Sequence, residues 1–186
     1  MELAAVILAG GTGARLGGAD KAAIEYAGTT LLERALAAAE AAAEVVVVAD
    51  RTPTSRPVTF AREEPAYGGP VAGLLAGRTA LTGAPALLLV LAVDMPHVTA
   101  STVARLAAAA AGDGDGAVLT GADGRRRLAF VVRADRLDDV APAVPHGAAV
   151  HALLAPLTLR EVAAVGREAD GVDTVEDLRH LDDEEP

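Results

Sequence analysis

The sequence predicts an α/β fold with three layers, α/β/α, in which helices cover both faces of a mostly parallel central sheet. Three observations predict it. Residues 6–9 are a short apolar run that indicates a buried strand. A helix with an N-terminal capping box is expected at about 30–43, and a continuous β-branched strand at 45–49. Strand, helix and strand in this order form a βαβ unit, which joins parallel strands.

The composition indicates a single domain. With 186 residues, the chain is long enough to bury about 70% of its unfolded surface. It contains no cysteine and no run of eighteen apolar residues that is free of glycine, proline and charge. The absence of cysteine fits a cytoplasmic protein, and the absence of such a run predicts no membrane segment. We also expect a monomer or weak homo-oligomer. A net charge of −10 and an aromatic content of 2% argue against a nucleic-acid partner, which requires basic contacts and stacking rings.

The loop after the first strand is rich in glycine and carries two cations. Five glycines lie between positions 10 and 18, and Arg15 and Lys21 supply positive charge. Because such a loop leaves backbone N–H groups free to converge on an anion, it indicates a polyphosphate site. A P-loop is excluded, since Ala19 rather than lysine follows Gly18, and a dinucleotide fingerprint would need glycine in place of Leu16.

The rest of the chain extends the alternation of strands and helices. Residues 22–26 are predicted to be a short extended segment. Further strands are predicted at 58–60, 87–93, 117–120, 128–132 and 157–162, and further helices from Pro70 onward, at 99–111 and in parts of 134–156. Gly121 and Gly124 favour a hairpin between two of these strands. We interpret the arginines at 125–127 as a solvated sheet edge or as contacts to an anionic second substrate.

The most apolar predicted strand, residues 87–93, leads directly into Asp94. The carboxyl ends of parallel strands border the ligand crevice, so an aspartate there is placed to hold a cation. Mg²⁺ prefers oxygen ligands and usually takes one or two carboxylates, with phosphate and water oxygens completing its shell. Asp94 is therefore the predicted metal ligand and the strongest catalytic candidate. The alternative is that it only caps the turn after the strand.

These motifs together resemble those of the MobA-like nucleotidyltransferases. Residues 8–11, with Arg15 and Lys21, are similar to the signature loop of that family. Residues 69–73 resemble its Gly-Pro-x-Ala-Gly segment, which an acidic residue precedes, and residues 94–96 resemble its Asp-x-Pro motif. Residues 171–178 are similar to the family's Asn-x-Asn-Thr-Pro-Glu-Asp-Leu ending. Paired glycines after Leu-Ala are typical of the molybdenum cofactor guanylyltransferases, whereas related cytidylyltransferases usually have Ala-Gly.

The resemblance implies a Rossmann-like nucleotidyltransferase fold in which residues 1–100 bind nucleotide and metal, 101–180 bind the acceptor, and 181–186 form an acidic tail. It implies Mg²⁺-dependent transfer of GMP from GTP to molybdopterin with release of pyrophosphate. The catalytic roles fall on Arg15, Lys21 and Asp94, and the metal ligands would be Asp94 and Asp173. The expected nucleotide contacts are Leu8, Ala9, Gly10, Gly11, Thr12, Gly13, Lys21, Asp50, Glu63, Gly69, Pro70 and Asp94.

Several alternatives remain open at the level of sequence. Either Glu63 or Glu64 fits the acidic residue before the Gly-Pro segment. Residues 127–129 and 147–149 depart from the family's acceptor motifs, so the acceptor is less well defined than the nucleotide. The rival functions are a nucleotidyltransferase that uses CTP or another acceptor, such as a cofactor or sugar phosphate, and a GTP-binding regulator without turnover.

Overall fold

The computed structural model describes residues 1–10, 20–172 and 177. The strands in this part of the chain are β1 (Leu3–Leu8), β2 (Glu25–Tyr26), β3 (Thr29–Thr30), β4 (Glu44–Val48), β5 (Thr59–Ala61), β6 (Leu87–Ala92), β7 (Gly116–Thr120), β8 (Arg126–Arg133) and β9 (Leu159–Ala163). Its helices are α1 (Leu31–Ala38), α2 (Pro70–Ala80), α3 (Ala100–Ala110), α4 (Ala134–Val140) and α5 (Val150–Leu154). No helix of the described residues is both long and apolar enough to cross a membrane.

Seven strands of the described chain form one sheet in the order β5, β4, β1, β6, β8, β7, β9. β1 pairs in parallel with β4 and β6, β4 with β5, and β7 with β9. Only β8 runs antiparallel to its neighbours in this sheet, β6 and β7. The prediction of a mostly parallel sheet is therefore confirmed. β2 and β3 form a separate antiparallel hairpin.

Helices pack on both faces of the sheet and complete the three predicted layers. α1 and α3 cover one face, where Leu36 and Leu106 join the buried core. α2, α4 and α5 cover the other face through Leu74, Leu137 and Leu153. Successive residues of β1 face opposite cores, which is why this strand is apolar at every position.

The first helix ends earlier than predicted. α1 stops at Ala38 rather than near residue 43, although Thr30 caps its start as expected. Arg56 stabilises the turn that follows, because its guanidinium donates hydrogen bonds of 3.1 and 3.0 Å to the carbonyls of Ala39 and Ala42. A turn held by a side chain from a later loop thus replaces the last residues of the predicted helix.

The segment predicted as extended at 22–26 begins instead with a 3₁₀ turn, Lys21–Ala23. Asp20 caps this turn by accepting a 3.0 Å hydrogen bond from the Ala22 N–H. Extended backbone starts only at β2, whose hairpin with β3 turns at residues 27–28 with φ values of 50° and 70°. The expectation of a continuous extended segment was wrong because it left out the Asp20 cap, which turns the chain at Lys21.

The arginines at the start of β8 do not lie at a sheet edge, because β8 is an interior strand between β6 and β7. Arg126 Nε donates a 3.2 Å hydrogen bond to Glu161 on β9. Arg127 donates to the Asp123 carboxylate at 3.1 Å and to the Ala169 carbonyl at 2.8 Å. The edge interpretation is therefore wrong, and these two side chains instead bind neighbouring parts of the chain.

Candidate functional site

The carboxyl ends of β1, β4 and β6 meet at one edge of the sheet. Leu8 pairs with Val48 on one side and with Ala92 on the other, so these three parallel strands end at the same level. Backbone hydrogen bonds continue the pairing by one residue. The Ala9 N–H donates to the Val48 carbonyl at 3.2 Å, and the Val93 N–H donates to the Leu8 carbonyl at 3.0 Å. The segments that follow the three strands therefore border a common crevice.

Lys21 and Asp94 form an ion pair in this crevice. Lys21 Nζ lies 2.9 Å from Asp94 Oδ2, and the two side chains are 22% and 27% exposed. Asp20 caps the turn that carries Lys21, while Asp94 follows the end of β6 by two residues. Two charged candidates that lie 73 residues apart in the sequence are thus brought into direct contact.

A cavity of about 300 Å³ opens beside the ion pair, close to the lower limit of typical small-molecule pockets. The predicted nucleotide contacts among its described lining residues are Leu8, Gly10, Glu63, Gly69, Pro70 and Asp94. Its other described lining residues are Val48, Tyr67, Gly73, Ala92 and Leu128. The wall is therefore mostly apolar, with two carboxylates as its charged groups.

A smaller recess of about 110 Å³ adjoins this cavity and is more polar. The described residues that line both are Gly10, Val48, Glu63 and Tyr67. Asp50 and Arg62 line the recess and form an exposed ion pair with an N–O distance of 2.7 Å. Of the predicted nucleotide contacts, Ala9 and Asp50 thus lie at the recess rather than in the larger cavity.

Glu63 is the glutamate that faces the site. It lines both the cavity and the recess, and its Oε1 accepts a 3.1 Å hydrogen bond from the Tyr67 N–H. Glu64 is absent from the described residues that line either space. Of the two glutamates that the sequence leaves open, the geometry thus favours Glu63.

Gly69 and Pro70 begin α2 at the cavity wall. Gly69 has φ 89° and ψ 178°, a conformation that residues with a Cβ atom rarely adopt. Pro70 follows in the first turn of the helix, where its missing N–H is not needed. Because the amino-terminal end of a helix carries a partial positive charge, this segment makes the wall more favourable for an anion.

Part of the predicted site lies outside the described residues. These site residues are Gly11, Thr12, Gly13, Arg15 and Asp173. The residue before Asp173 is held at the site, because the Val172 N–H donates a 2.8 Å hydrogen bond to the Asp94 carbonyl. The roles of all five residues stay predictions.

The described carboxylates fit a metal ion that is coordinated mainly by phosphate and water oxygens. Within the described residues, no three histidine, aspartate or glutamate side chains are grouped so as to hold a metal ion. Mg²⁺ commonly uses only one or two carboxylates in phosphate-binding sites. Asp94 supplies one at the cavity, and its Oδ2 already holds a positive group, Lys21 Nζ. This donor set suits an ion that arrives with a nucleotide rather than a preformed protein cage.

Five of the described residues that line the cavity were not predicted as nucleotide contacts, among them Tyr67 and Leu128. Leu128 belongs to β8 and reaches the cavity because β8 pairs with β6 beside Ala92. Its apolar side chain gives no local signal of this position. Tyr67 does give one, since it is one of only two tyrosines and lies in a loop rich in glycine and proline.

The sequence was compared with models of known protein families. Residues 5–169 match the model of the MobA-like NTP transferase domain. The chain belongs to the MobA-like NTP transferase family. The glycine-rich loop, the Gly-Pro segment and Asp94 all fall within the matched residues, whereas Asp173 falls beyond them.

Two curated relatives have sequences similar to this chain. The molybdenum cofactor guanylyltransferase of Acidiphilium cryptum is 41% identical over 119 residues, which cover 59% of this chain and 59% of the relative. The probable molybdenum cofactor guanylyltransferase of Opitutus terrae is 39% identical over 134 residues, which cover 69% of this chain and 65% of the relative. The alignments thus span less than two thirds of the relatives' length.

Solved structures share the fold over nearly the whole chain. Rv0371c from Mycobacterium tuberculosis superposes with a TM-score of 0.76 at 23% identity, covering 97% of this chain and 96% of that one. A structure of Rv0371c in complex with manganese has a TM-score of 0.72 at 22% identity and covers 97% of both chains. At this level of identity, the likeness shows the fold alone.

Proposed function

We propose that this chain is a nucleotidyltransferase that transfers GMP from GTP to the phosphate of molybdopterin and releases pyrophosphate. The observation that carries the proposal is the 2.9 Å ion pair of Lys21 and Asp94 beside a cavity lined by Gly10. It provides a cation for phosphate and a carboxylate for a metal ion in one crevice of a MobA-like family member. The names of the Acidiphilium and Opitutus relatives support a guanylyl donor and the molybdenum cofactor as acceptor.

The proposed reaction depends on charge neutralisation and alignment rather than on a general base, because the attacking acceptor phosphate is already an anion. An oxygen of the acceptor phosphate attacks the α-phosphorus of GTP, the bond from that phosphorus to the bridging oxygen breaks, and pyrophosphate leaves. Lys21 neutralises charge near the α-phosphate. Its ammonium group then exchanges one anionic partner, Asp94, for another, so its charge stays compensated.

The rest of the donor nucleotide is assigned to the glycine loop and to the two adjoining spaces. Backbone amides of the glycine loop that follows β1, together with Arg15, hold the β- and γ-phosphates in this proposal. Asp50, Glu63 and the Gly69–Pro70 segment contact the nucleoside. Their positions at the cavity and the recess support this assignment, because both spaces share Gly10 with the phosphate end of the site.

We assign the metal-binding role to Asp94, with Asp173 as a second ligand, and propose Mg²⁺ as the ion. When bound, the ion would neutralise phosphate charge and orient the reacting groups. The hydrogen bond from Val172 to the Asp94 carbonyl supports Asp173 as a partner, since it holds the preceding residue at the site. The manganese complex of the Mycobacterium tuberculosis protein of the same fold is consistent with a divalent ion.

Pyrophosphate release from GTP, measured with purified protein, molybdopterin and Mg²⁺, tests the proposal. Asp94→Asn removes the charge with little change of shape at a partly exposed position, so we expect a folded protein. Its turnover should fall by about 100-fold or more, as is usual when an electrostatic contact in the transition state is lost. Asp113→Asn is the matched control, because Asp113 is exposed in the turn after α3 and should keep wild-type turnover.

Competition among GTP, CTP, UTP and ATP separates the rival functions. Preferential binding of GTP with acceptor-dependent pyrophosphate release supports the proposal. Release from CTP instead would make the chain a cytidylyltransferase, and GTP binding without any release would make it a regulator. Unchanged turnover in Asp94→Asn would refute the role of that residue.

A further inference from the structure

Tyr67 lies where the cavity and the recess meet and lines both of them. The residue is 66% exposed, and it is one of four large hydrophobic residues in the described part of the chain that stay open to solvent. Its backbone φ of 62° lies in a region that residues other than glycine rarely adopt. Because core packing does not explain an exposed ring on such a backbone, the strain points to a functional role.

The backbone around Tyr67 is held by its neighbours. Glu63 Oε1 accepts a 3.1 Å hydrogen bond from the Tyr67 N–H. The Gly68 carbonyl accepts a 2.8 Å hydrogen bond from the Gly147 N–H. Gly68 also packs closely, since a Cβ atom at this position would lie only 2.7 Å from the Ala72 Cβ. The ring is therefore carried by a backbone segment with defined contacts beside the cavity.

The other aromatic side chains are occupied elsewhere. The chain has two tyrosines, two phenylalanines and no tryptophan, and all four aromatic residues lie in the described part. Phe130 is fully buried, and Phe60 packs against the core. The Tyr26 ring lies 4.4 Å from the Arg34 guanidinium. Of the four described rings, Tyr67 alone lines the cavity and the recess.

We propose that the Tyr67 ring stacks on the base of the donor nucleotide. This inference rests on the proposed function, because it requires a nucleoside triphosphate as donor. It does not require that the donor be GTP, because every base has a π-face that can stack. The phosphates are assigned to Gly10 and Lys21, so a base joined to them through its ribose reaches the adjoining cavity. Tyr67 shares both spaces with Gly10 and Glu63, which favours the donor base over the acceptor ring as its partner.

The test compares Tyr67→Leu with Tyr67→Phe. Leucine keeps an apolar side chain and the same demand on the backbone but has no ring, whereas phenylalanine keeps the ring. Calorimetry measures binding of whichever triphosphate the wild type prefers and of inorganic tripolyphosphate, which has no base. Tyr67→Leu should weaken nucleotide binding roughly 5- to 150-fold, the range found for loss of a base–aromatic stack. It should leave tripolyphosphate binding unchanged, and Tyr67→Phe should bind nucleotide nearly as well as the wild type.

Fluorine NMR gives a second readout that a merely structural role would not move. Labelling with 3-fluorotyrosine produces two signals, because the chain has two tyrosines, and Tyr26→Phe assigns them. The Tyr67 signal should shift when the nucleotide is added, owing to the ring current of the base. It should not shift in the same way when tripolyphosphate is added.

The outcomes separate this inference from the proposed function. Equal nucleotide affinity in the wild type and Tyr67→Leu overturns the stacking role while the proposed function stands. If Tyr67→Leu raises only the KM of the acceptor, the ring contacts the acceptor instead, and this result also overturns the stacking role. Equal losses of affinity for nucleotide and tripolyphosphate would indicate a distorted loop and would overturn the stacking role as well. A wild type that binds no nucleoside triphosphate overturns the proposed function and this inference together.

Discussion

Lys21 Nζ lies 2.9 Å from Asp94 Oδ2, so the cation proposed for the α-phosphate and the carboxylate proposed for the metal ion neutralise each other. A triphosphate and a divalent ion that arrive together replace both partners, since the phosphate takes the ammonium group and the ion takes the carboxylate. Neither charge is left uncompensated in the partly buried crevice. Binding of nucleotide and metal should therefore be mutually dependent.

Mn²⁺ binding, measured by electron paramagnetic resonance, should be weak in the protein alone and stronger with a nucleoside triphosphate. We expect an increase of roughly 5- to 150-fold, the usual range of coupling between two sites, and nucleotide affinity should rise by the same factor when Mn²⁺ is present. Lys21→Met should bind Mn²⁺ more tightly than the wild type when nucleotide is absent, because Asp94 loses its competing cation. Equal Mn²⁺ affinity with and without nucleotide would contradict this relationship.

Lys21 is the only lysine in the chain, so an amine-reactive reagent has a single lysine side chain to modify. An amine-reactive reagent should modify residue 21 and the amino terminus, and nucleotide with Mg²⁺ should protect residue 21 alone. Mass spectrometry of the peptide that contains residue 21 measures this protection, and the amino terminus serves as the internal control. Lys21→Met should bind nucleotide about 10- to 150-fold more weakly, as expected for loss of a hydrogen bond to a charged group. Labelling that nucleotide does not slow would show that Lys21 does not contact the phosphates.

Gly77 allows α2 to approach the sheet closely. A Cβ atom at Gly77 would lie 2.5 Å from Val6 Cγ1, whereas one at Gly73 would meet Val48 Cγ1 at 3.4 Å. Gly77→Ala should therefore lower the free energy of unfolding by about 1–3 kcal/mol through overpacking. Gly73→Ala is the matched control and should raise it by up to about 1 kcal/mol, because alanine is the better helix former. Denaturant unfolding measures both variants, and equal effects would show that close packing at Gly77 is not limiting.

Glu168 links the segment after β9 to α3. It accepts hydrogen bonds of 2.6 Å from Thr102 and 2.8 Å from the Val165 N–H, and it forms an ion pair with Arg105. Burial raises the pKa of Glu168, but the hydrogen bonds from Thr102, Val165 and Arg105 lower it, and the net pKa lies below the ordinary value of 4.5. Between the two values the unfolded chain binds more protons than the folded one, so stability falls as the pH drops from about 4.5 through the lowered pKa.

Urea unfolding at a series of pH values from neutral to acidic tests this linkage. The wild type should lose more unfolding free energy on acidification than Glu168→Gln, which has no carboxylate to protonate at this position. The variant should still lose part of its stability on acidification, because hydrogen bonds also lower the pKa of Glu44 and Asp115. An identical dependence of unfolding free energy on pH in the two proteins would show that Glu168 does not contribute to the acid sensitivity.

Local patterns in the sequence were sufficient for most of the fold. The apolar runs of β1, β4 and β6 predict buried parallel strands, and Thr30 marks the start of α1. The position of Asp94 at the end of β6 also follows from the sequence, because parallel strands end at the same edge. Apolar runs and capping signals each depend on residues that are close together in the chain, which is why sequence alone determined these elements.

Tertiary structure decided the features that depend on distant residues. Arg56 binds carbonyls in the turn after α1, and the Tyr67 backbone N–H binds Glu63 where the two spaces meet. The contact of Lys21 with Asp94 likewise joins positions 73 residues apart. Hydrophobic periodicity and capping signals extend over only a few residues, so they specify which elements form. Which side chains meet between those elements is set by packing, and only the folded chain shows it.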